Sequence, residues 1–232
     1  MKHIILAAAL MLVVAAAVFP PPAALAATAA EEAQKLVVDS GQTLDNFIAD
    51  PNLTWFRDHV DDAKGLFICS KVVRAGFVFG GSGGRCVFVA KGDKGWNGPA
   101  FYTSSTASAG FQAGVDVAEV VALAMTQKAV DSLMSTEFKA GAGASVAAGP
   151  VGTGAAVNTA DFLVYTRNKG VFGGVDVSGA VIKPTGEYNK AYYGKDVTPI
   201  DIIAKGTAHN PQAGPALMSK VEKLYAEAAK KP

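Results

Sequence analysis

Residues Gly80–Gly84 form the run Gly-Gly-Ser-Gly-Gly, which matches the G-x-S-x-G pattern of a serine nucleophile. In α/β-hydrolases that serine stands at a sharp turn between a strand and a helix, and an acid and a histidine follow later in the chain. Here the next segment, Arg85–Lys91, is typical of a strand, and His209 is the only later histidine. We therefore interpret the run as the glycine-rich turn of a β-hairpin.

The other side chains that could carry chemistry are few. Beyond residue 26 the only histidines are His59 and His209, and neither lies in a cluster with the spacing of metal ligands. Asp61 and Asp62 are adjacent, but such a pair is typical of a solvated helix end. The glycine run also lacks the third glycine of the dinucleotide-binding motif G-x-G-x-x-G. The sequence therefore predicts neither an enzyme nor a metal or cofactor site.

Bases and aromatic residues around the predicted hairpin favour a lipid-binding site. Aromatic rings suit the acyl boundary of a bilayer, while long basic side chains beside them reach anionic head groups. The alternative is a solvated hairpin face next to a core tryptophan. The candidate lipid-binding residues are Lys71, Arg74, Arg85, Lys91, Lys94, Trp96, Phe101 and Tyr102.

The chain has two cysteines, Cys69 and Cys86. An even number of cysteines in an exported protein favours a disulfide. If the hairpin turns about Ser82, however, Cys86 faces Val78. A bend at Ser70–Val73 is then needed to bring the two cysteine Cα atoms within about 7 Å. A disulfide and a pair of small buried side chains both remain open.

The first 26 residues have the features of a secretory signal peptide. Lys2 and His3 precede the apolar run Ile4–Val18, and Ala24-Leu25-Ala26 is a cleavage site of the A-x-A type. A retained membrane anchor is the alternative, but a spanning helix needs about 20 apolar residues. Cleavage removes one of the 21 basic residues and none of the 20 acidic ones, so the mature chain is neutral. Neutrality argues against nucleic acid as a partner. We expect a periplasmic or secreted protein.

The remaining pattern predicts helices at both ends of the chain and strands between them. With 232 residues, 50% of them hydrophobic, the chain is long enough to form one core. Helical periodicity predicts helices at Ala30–Asp50, Leu53–Lys64 and Ala213–Lys230, one after Thr126, and short turns at Glu187–Gly194 and Pro199–Ala204. Strands are predicted at Gly65–Cys69, Ser105–Asp116, Val117–Met125, Asp161–Arg167 and Gly170–Lys183. The segment Phe138–Val157, rich in Gly and Ala and nearly free of charge, is interpreted as thin, tightly packed strands.

Several blocks run in order from Ala63 to Ile203 and read AKGLFICSKVVRAGFVFGG, WNGPAFY, GFQAGVDVAEVV, KAGAGASVAAGP, TRNKGVFGGVDVSGAVIKP and NKAYYGKDVTPIDII. In their order and spacing these blocks resemble the SYLF domain, the family of Ysc84-like lipid-binding proteins. Two departures are visible. Family members typically have proline where Ser70 stands, and the sequence lacks the SH3 or FYVE modules to which the domain is often joined.

The resemblance implies lipid binding through a phosphoinositide-type or other phospholipid head group, without catalysis, by an exported member of the family. We expect a signal peptide at 1–26, an N-terminal helical segment at 27–62, a SYLF-like domain at 63–204 and a C-terminal helix at 205–232. The expected fold is α+β, with an antiparallel curved sheet or barrel-like β-sandwich and flanking N- and C-terminal helices. The expected partner is an anionic phospholipid or membrane surface. A structural or interaction module that meets an envelope protein is the alternative.

Overall fold

The computed structural model describes residues 28–76, 79–93, 95–109, 114–149, 159–168, 171–172, 179–210 and 216–230. Within them the α-helices are α1 (Ala29–Ala49), α2 (Thr54–His59), α3 (Gln127–Leu133), α4 (Gly186–Tyr193) and α5 (Ala216–Ala228). The strands are β1 (Gly65–Gly76), β2 (Phe79–Gly92), β3 (Gly95–Ala109), β4 (Gly114–Ala124), β5 (Phe138–Lys139), β6 (Val146–Ala148), β7 (Phe162–Asn168), β8 (Val171–Phe172) and β9 (Val181–Pro184). A 3₁₀ turn, Val60–Asp62, follows α2, and a π-helical turn, Ile200–Ala204, precedes α5.

The strands form one curled sheet with the shape of a half-barrel. Eight of them follow one another in the order β5-β9-β3-β2-β1-β4-β7-β6, and β8 pairs with β7. The described pairs are antiparallel, apart from the parallel pair of β6 and β7. With helices packed at both ends of the chain, this architecture confirms the predicted α+β class.

Helices cover one side of the sheet, which we call the front face. Residues opposite each other in an antiparallel ladder share a face, and successive residues alternate between faces. Leu66, Phe101 and Tyr165 belong to the front face and are at most 1% exposed. Phe56 of α2 lies 5.3 Å from Tyr165, between ring centroids, and Tyr192 of α4 lies 5.0 Å from Phe101. The front face and the helices packed on it thus enclose one core layer.

The other side of the sheet, the back face, carries a second core layer. Phe67, Tyr102 and Phe162 belong to it and are at most 5% exposed. The Tyr102 hydroxyl donates to the backbone oxygen of Leu133 in α3 at 2.7 Å, and the Phe138 ring of β5 lies 5.5 Å from that of Phe162. This end of the sheet is therefore buried on both sides.

Helix α1 confirms the helix predicted at Ala30–Asp50. The Thr28 hydroxyl accepts a hydrogen bond from the backbone N–H of Glu31, and the Glu31 carboxylate accepts one from the backbone N–H of Thr28. This reciprocal capping satisfies N–H groups that a helix start otherwise leaves unpaired. The buried residues of the helix recur at helical spacing, among them Leu36, Leu44 and Phe47.

A polar network fixes the far end of α1 to the sheet. Thr43 and Asn46 of α1 donate to Oε1 of Glu119 in β4, at 3.0 and 2.8 Å. Arg167 of β7 donates to the other carboxylate oxygen of Glu119 at 2.9 Å. Hydrogen bonds to a charged group are stronger than those between neutral groups. The network therefore fixes the position of α1 relative to β4 and β7.

The glycine-rich turn predicted at Gly80–Gly84 is wrong. These residues lie inside β2 and pair with β1 on one side and β3 on the other. Here glycine serves close approach of neighbouring backbone rather than a turn. A Cβ on Gly84 would lie 2.6 Å from the Lys71 backbone oxygen, and one on Gly81 would lie 3.1 Å from that of Thr106. Ser82 therefore sits in the middle of a strand, and the nucleophile-elbow geometry is absent there.

Two other predicted strands are divided differently in the structure. Ser105–Asp116 belongs to two strands, β3 and β4, and residues 110–113 between them lie outside the described part. In the sequence the alternation of small residues continues through residues 110–113, so the pattern did not indicate that one strand ends and another begins. Of Gly170–Lys183, the described strands are β8 and β9, and residues 173–178 lie outside the described part. Residues 150–157 of the predicted thin strands also lie outside it, whereas β5 and β6 are short strands.

Most of the other local predictions are confirmed. Thr126 caps α3 by accepting a hydrogen bond from the backbone N–H of Ala129. The predicted strands Val117–Met125 and Asp161–Arg167 correspond to β4 and β7. Helix α4 lies where a helical turn was predicted, and α5 lies within the predicted terminal helix. The helix predicted at Leu53–Lys64 is shorter, since α2 gives way to the 3₁₀ turn after His59.

Cys69 and Cys86 form a disulfide on the back face, with Cα atoms 4.2 Å apart. A turn about Ser82 would have separated the two cysteines. In the observed register Ile68 lies opposite Val87, so the next residue of β1 and the preceding residue of β2 face each other. The sequence did not decide whether the disulfide forms. The structure explains why it does, because β1 extends to Gly76 and the resulting register places the two cysteines opposite each other.

Asp161 joins three elements at the edge of the sheet. Its carboxylate accepts hydrogen bonds from the hydroxyl of Thr126 at 2.6 Å, from the backbone N–H and hydroxyl of Ser145 at 2.8 and 2.9 Å, and from Lys128 at 3.3 Å. These bonds, above all that from Thr126, hold the pKa of Asp161 well below its usual range.

We expect this network to make the fold acid-sensitive. A carboxyl group with a lowered folded-state pKa stabilises the fold above its unfolded pKa of about 4, and that stability is lost as the pH falls further. Asp161→Asn should lower the free energy of unfolding by about 1–3 kcal/mol near neutral pH. The difference from the wild type should shrink at about pH 3. Urea unfolding at both pH values measures it, with Asp39→Asn as the control, since Asp39 is a half-exposed carboxylate of α1 that pairs only with Lys35 on the same helix in the described structure. A difference independent of pH would contradict the assignment.

Candidate functional site

Beyond the level of α1 the four central strands carry a surface on the front face that none of the described helices covers. On β1 and β4, Val73 lies opposite Val117 and Ala75 lies opposite Val115. The same two rows continue through glycines of β2 and small residues of β3. We call this surface the open face; it consists of Val73, Ala75, Gly81, Gly83, Ser105, Ala107, Val115 and Val117.

The open face carries no charge, and apart from Ser105 its residues are valine, alanine or glycine. Val115 is 71% exposed, Val73 37% and Val117 36%. Together they are three of the five large apolar side chains that are exposed in the described part of the chain, the others being Val38 and Ile200. Single exposed apolar residues are ordinary, whereas exposed apolar residues that adjoin one another on neighbouring strands form a candidate site of interaction. No sequence pattern singled out these valines, because their clustering follows from strand pairing.

The same strand segments carry a polar row on the back face. Thr106, Ser82, Arg74 and Asp116 lie opposite one another across β3, β2, β1 and β4. The hydroxyls of Ser82 and Thr106 lie 2.6 Å apart, and the Arg74 guanidinium lies 4.0 Å from the Asp116 carboxylate. Arg74 thus points to the opposite side of the sheet from the open face.

A row of bases borders the open face. Lys71 of β1 lies opposite Arg85 of β2, Arg85 lies opposite Thr103 of β3, and Thr103 lies opposite Lys183 of β9. Neighbouring strands are about 4.8 Å apart, so the row spans about 14 Å. We call Lys71, Arg85 and Lys183 the basic row; all three are exposed. Lys183, which forms an ion pair with Glu137 at 2.7 Å, was missed because its place depends on the pairing of β9 with β3.

The Arg85 side chain contacts one residue of α1 and one residue of α4. Its Nη1 donates to Glu32 at 3.0 Å, and its guanidinium lies 4.7 Å from the centroid of the Tyr188 ring. The Tyr188 hydroxyl donates to the same oxygen of Glu32. Burial, followed by this hydrogen bond, raises the pKa of Tyr188 to about 12, so its hydroxyl is a donor at neutral pH.

Of the remaining candidate residues, the four that the structure describes do not join this site. Lys91 and Trp96 lie opposite each other near the other end of β2 and β3, where both contact the Tyr225 ring. The placement of Phe101 and Tyr102 at an acyl boundary needs correction, because they are 0% and 1% exposed in the two core layers. Aromatic residues beside a base look the same in sequence whether a helix covers them or not. Lys94 lies outside the described residues.

The comparison with known protein families identifies the chain. The profile of the Ysc84 family, described as "Las17-binding protein actin regulator", matches residues 105–224, which is more than half of the chain. The chain therefore belongs to the Ysc84 family, as its resemblance to the SYLF domain predicted. The match includes the β3, β4 and β9 parts of the open face and the basic row.

Curated relatives are longer proteins. The chain is 34% identical over 176 residues to "LAS seventeen-binding protein 3" of Saccharomyces cerevisiae, covering 71% of this chain and 38% of that protein. It is 30% identical over 158 residues to "SH3 domain-containing YSC84-like protein 1" of Homo sapiens, covering 65% of this chain and 46% of that protein. The chain thus spans less than half the length of these relatives. No solved structure matches it significantly.

Among the described helices, none combines the length and the apolar character needed to cross a membrane.

Proposed function

We propose that the chain is a non-catalytic domain that binds anionic phospholipid at a membrane surface. The observation that carries this proposal is the open face, an uncharged apolar surface bordered by the basic row. A bilayer presents a matching pair of layers, an acyl boundary and anionic head groups above it. The family description names binding and regulation rather than a reaction, which agrees with a domain that performs no chemistry.

The two parts of the site act on different layers of the bilayer. The valines of the open face lose contact with water when they lie against the acyl boundary, which contributes about 25 cal/mol per Å² of apolar surface. The long side chains of the basic row reach outward to head groups, and each base contributes about 1 kcal/mol near an anionic surface. A phosphoinositide-type head group, with several negative charges, engages more than one base of the row.

The open face gives the test of this proposal. We expect the double substitution Val115→Ser and Val117→Ser to weaken binding to phosphatidylcholine vesicles containing phosphatidylserine by about tenfold, because it replaces two of the three exposed valines of the open face. Flotation of the protein with the vesicles measures the effect. Val38→Ser is the matched control, since Val38 is 60% exposed on α1, away from the open face. Equal flotation of the double variant and the wild type would place the contact elsewhere.

We also propose that the protein acts outside the cytoplasm, in the periplasm or after secretion. The signal-peptide features of residues 1–26 support this location, and so does the buried disulfide, because such bridges persist in oxidising compartments.

The location predicts the mature N-terminus. We expect the exported protein to begin near Ala27, because Ala24-Leu25-Ala26 has the pattern of a signal-peptide cleavage site. Cleavage there leaves the capping box of Thr28 intact. Mass spectrometry of protein from the periplasm or the culture medium measures the N-terminus. A chain that still begins at Met1 would contradict the prediction.

A protein-interaction module is the second candidate function. The names of relatives include binding to Las17, so a protein partner for this domain has support in the family. The open face is about 14 Å wide across its four strands and about 7 Å deep across its two rows of residues, so it covers on the order of 100 Å². A stable protein interface buries roughly 800 Å² per partner. A protein partner would therefore also have to cover neighbouring surface. A folded wild type that ignores vesicles containing phosphatidylserine would favour this second function.

A further inference from the structure

Arg85 and Tyr188 aim two hydrogen-bond donors at one point, and a carboxylate of the chain itself occupies that point. Nη1 of Arg85 donates to Oε2 of Glu32 at 3.0 Å, and the Tyr188 hydroxyl donates to the same oxygen. The Tyr188 ring also supports the guanidinium, which lies 4.7 Å from the ring centroid. A stacked guanidinium beside a phenol donor is an arrangement suited to an oxyanion.

We propose that Arg85 and Tyr188 form a phosphate-binding site and that Glu32 is an internal ligand which an external phosphate displaces. The inference rests on the proposed function insofar as the phosphate belongs to a lipid head group. The site lies in the basic row, and Lys71, directly opposite Arg85, adds positive charge next to it. Glu187, in the first turn of α4, acts against an anion here.

Phosphate uses these donors more fully than Glu32 does. Both hydrogen bonds converge on one oxygen of Glu32, so the planar carboxylate meets the site at a single point. An arginine carries five N–H donors in a fixed fork. A tetrahedral phosphate can take two parallel N–H bonds from that fork and still offer a third oxygen to the hydroxyl of Tyr188. A phosphate monoester also carries more negative charge than a carboxylate.

The internal ligand is held weakly enough to be exchanged. The side chains of Arg85 and Glu32 are 53% and 38% exposed, and ion pairs of such exposure are weak. Glu32 sits in the first turn of α1, which stays in place through the capping box and through the burial of Leu36 and Leu44. Release of Glu32 therefore requires a side-chain movement and no unfolding of the helix.

Removal of the internal ligand tests the site. We expect Glu32→Gln, which keeps the shape of the side chain, to bind inorganic phosphate about fivefold more tightly than the wild type, measured by isothermal titration calorimetry. Glu32→Ala should show the same gain, and it covers the case in which the glutamine still competes. Asp39→Asn, on the same helix, removes one negative charge away from the site and should leave the affinity unchanged. Adding Tyr188→Phe to Glu32→Gln should abolish most of the gain while keeping the ring.

Vesicles separate this inference from the proposed function. If Glu32→Gln also floats more strongly with phosphatidylserine vesicles, the phosphate is that of a head group. If it binds inorganic phosphate more tightly and ignores vesicles, the site stands with a soluble phosphate ligand, and the lipid function fails. The inference is overturned if neither Glu32→Gln nor Glu32→Ala gains affinity for phosphate. It is also overturned if Asp39→Asn gains as much, or if Tyr188→Phe leaves the gain intact.

Discussion

Replacing Lys71, Arg85 and Lys183 together with serine is expected to weaken binding to phosphatidylserine vesicles by up to about a hundredfold. Each base near an anionic surface contributes about 1 kcal/mol, and tenfold in affinity corresponds to about 1.4 kcal/mol. The ion pairs with Glu32 and Glu137 reduce what Arg85 and Lys183 contribute, so a hundredfold is the upper end. The fold should persist, because all three side chains are exposed.

A second triple variant controls for net charge. Lys190, Lys205 and Lys223 are exposed and lie outside the basic row, each in an ion pair with an acid close in sequence. Replacing them with serine removes the same charge and should leave vesicle binding nearly unchanged. Added salt should weaken binding by the wild type and have less effect on the basic-row variant, since salt screens exposed charges over about 8–10 Å. Equal losses in the two triple variants would show that only net charge matters.

Local patterns in the sequence predicted the elements that position the site. The period of α1 is visible in Leu36, Leu44 and Phe47, which are all buried against the sheet. The cap of α3 at Thr126 and the apolar run of β7 are equally local signals. Each of these features depends on residues within one or two turns or along one strand, which a single sequence displays directly.

Strand register could not be predicted, and the site depends on it. The glycines of β2 predicted a turn because glycine tolerates positive φ, but the same residue also serves where two backbones approach closely. Moving the end of β1 to Gly76 changes which residues face Arg85, and it brings Lys71 opposite it. The wrong register predicted for β1 and β2 is thus the reason that neither the disulfide geometry nor the rows of the open face could be predicted.

Contacts between distant segments were also beyond sequence reasoning. Tyr188 meets Arg85 because α4 packs on the front face, about a hundred residues after β2 in the chain. Phe101 and Tyr102 are buried because α4 and α3 cover opposite faces of β3. The sequence around Phe101 and Tyr102 does not show whether a distant helix covers them. A buried aromatic pair and an exposed one therefore have the same local sequence pattern.

Removing the bridge between Cys69 and Cys86 is expected to lower the free energy of unfolding by about 3 kcal/mol. The two cysteines are separated by 17 positions, and in the chain-entropy model closing a loop of this length restricts the unfolded state by about that amount. For a domain of this size the melting temperature should fall by about 6–12 °C. Cys69→Ala with Cys86→Ala is the suitable variant, because both side chains are at most 2% exposed and alanine introduces no buried polar group.

Two measurements check this prediction independently. Thiol titration of the unfolded, non-reduced protein should find no free thiol, whereas two free thiols would show that the bridge is absent. Urea unfolding of the wild type with and without reductant should reproduce the difference seen in the alanine variant. Because Lys71 and Arg85 are held opposite each other by the β1–β2 ladder as well as by the neighbouring bridge, the alanine variant should still bind anionic vesicles at temperatures where it is folded. Loss of binding by a folded alanine variant would mean that the bridge, and not the ladder, positions the basic row.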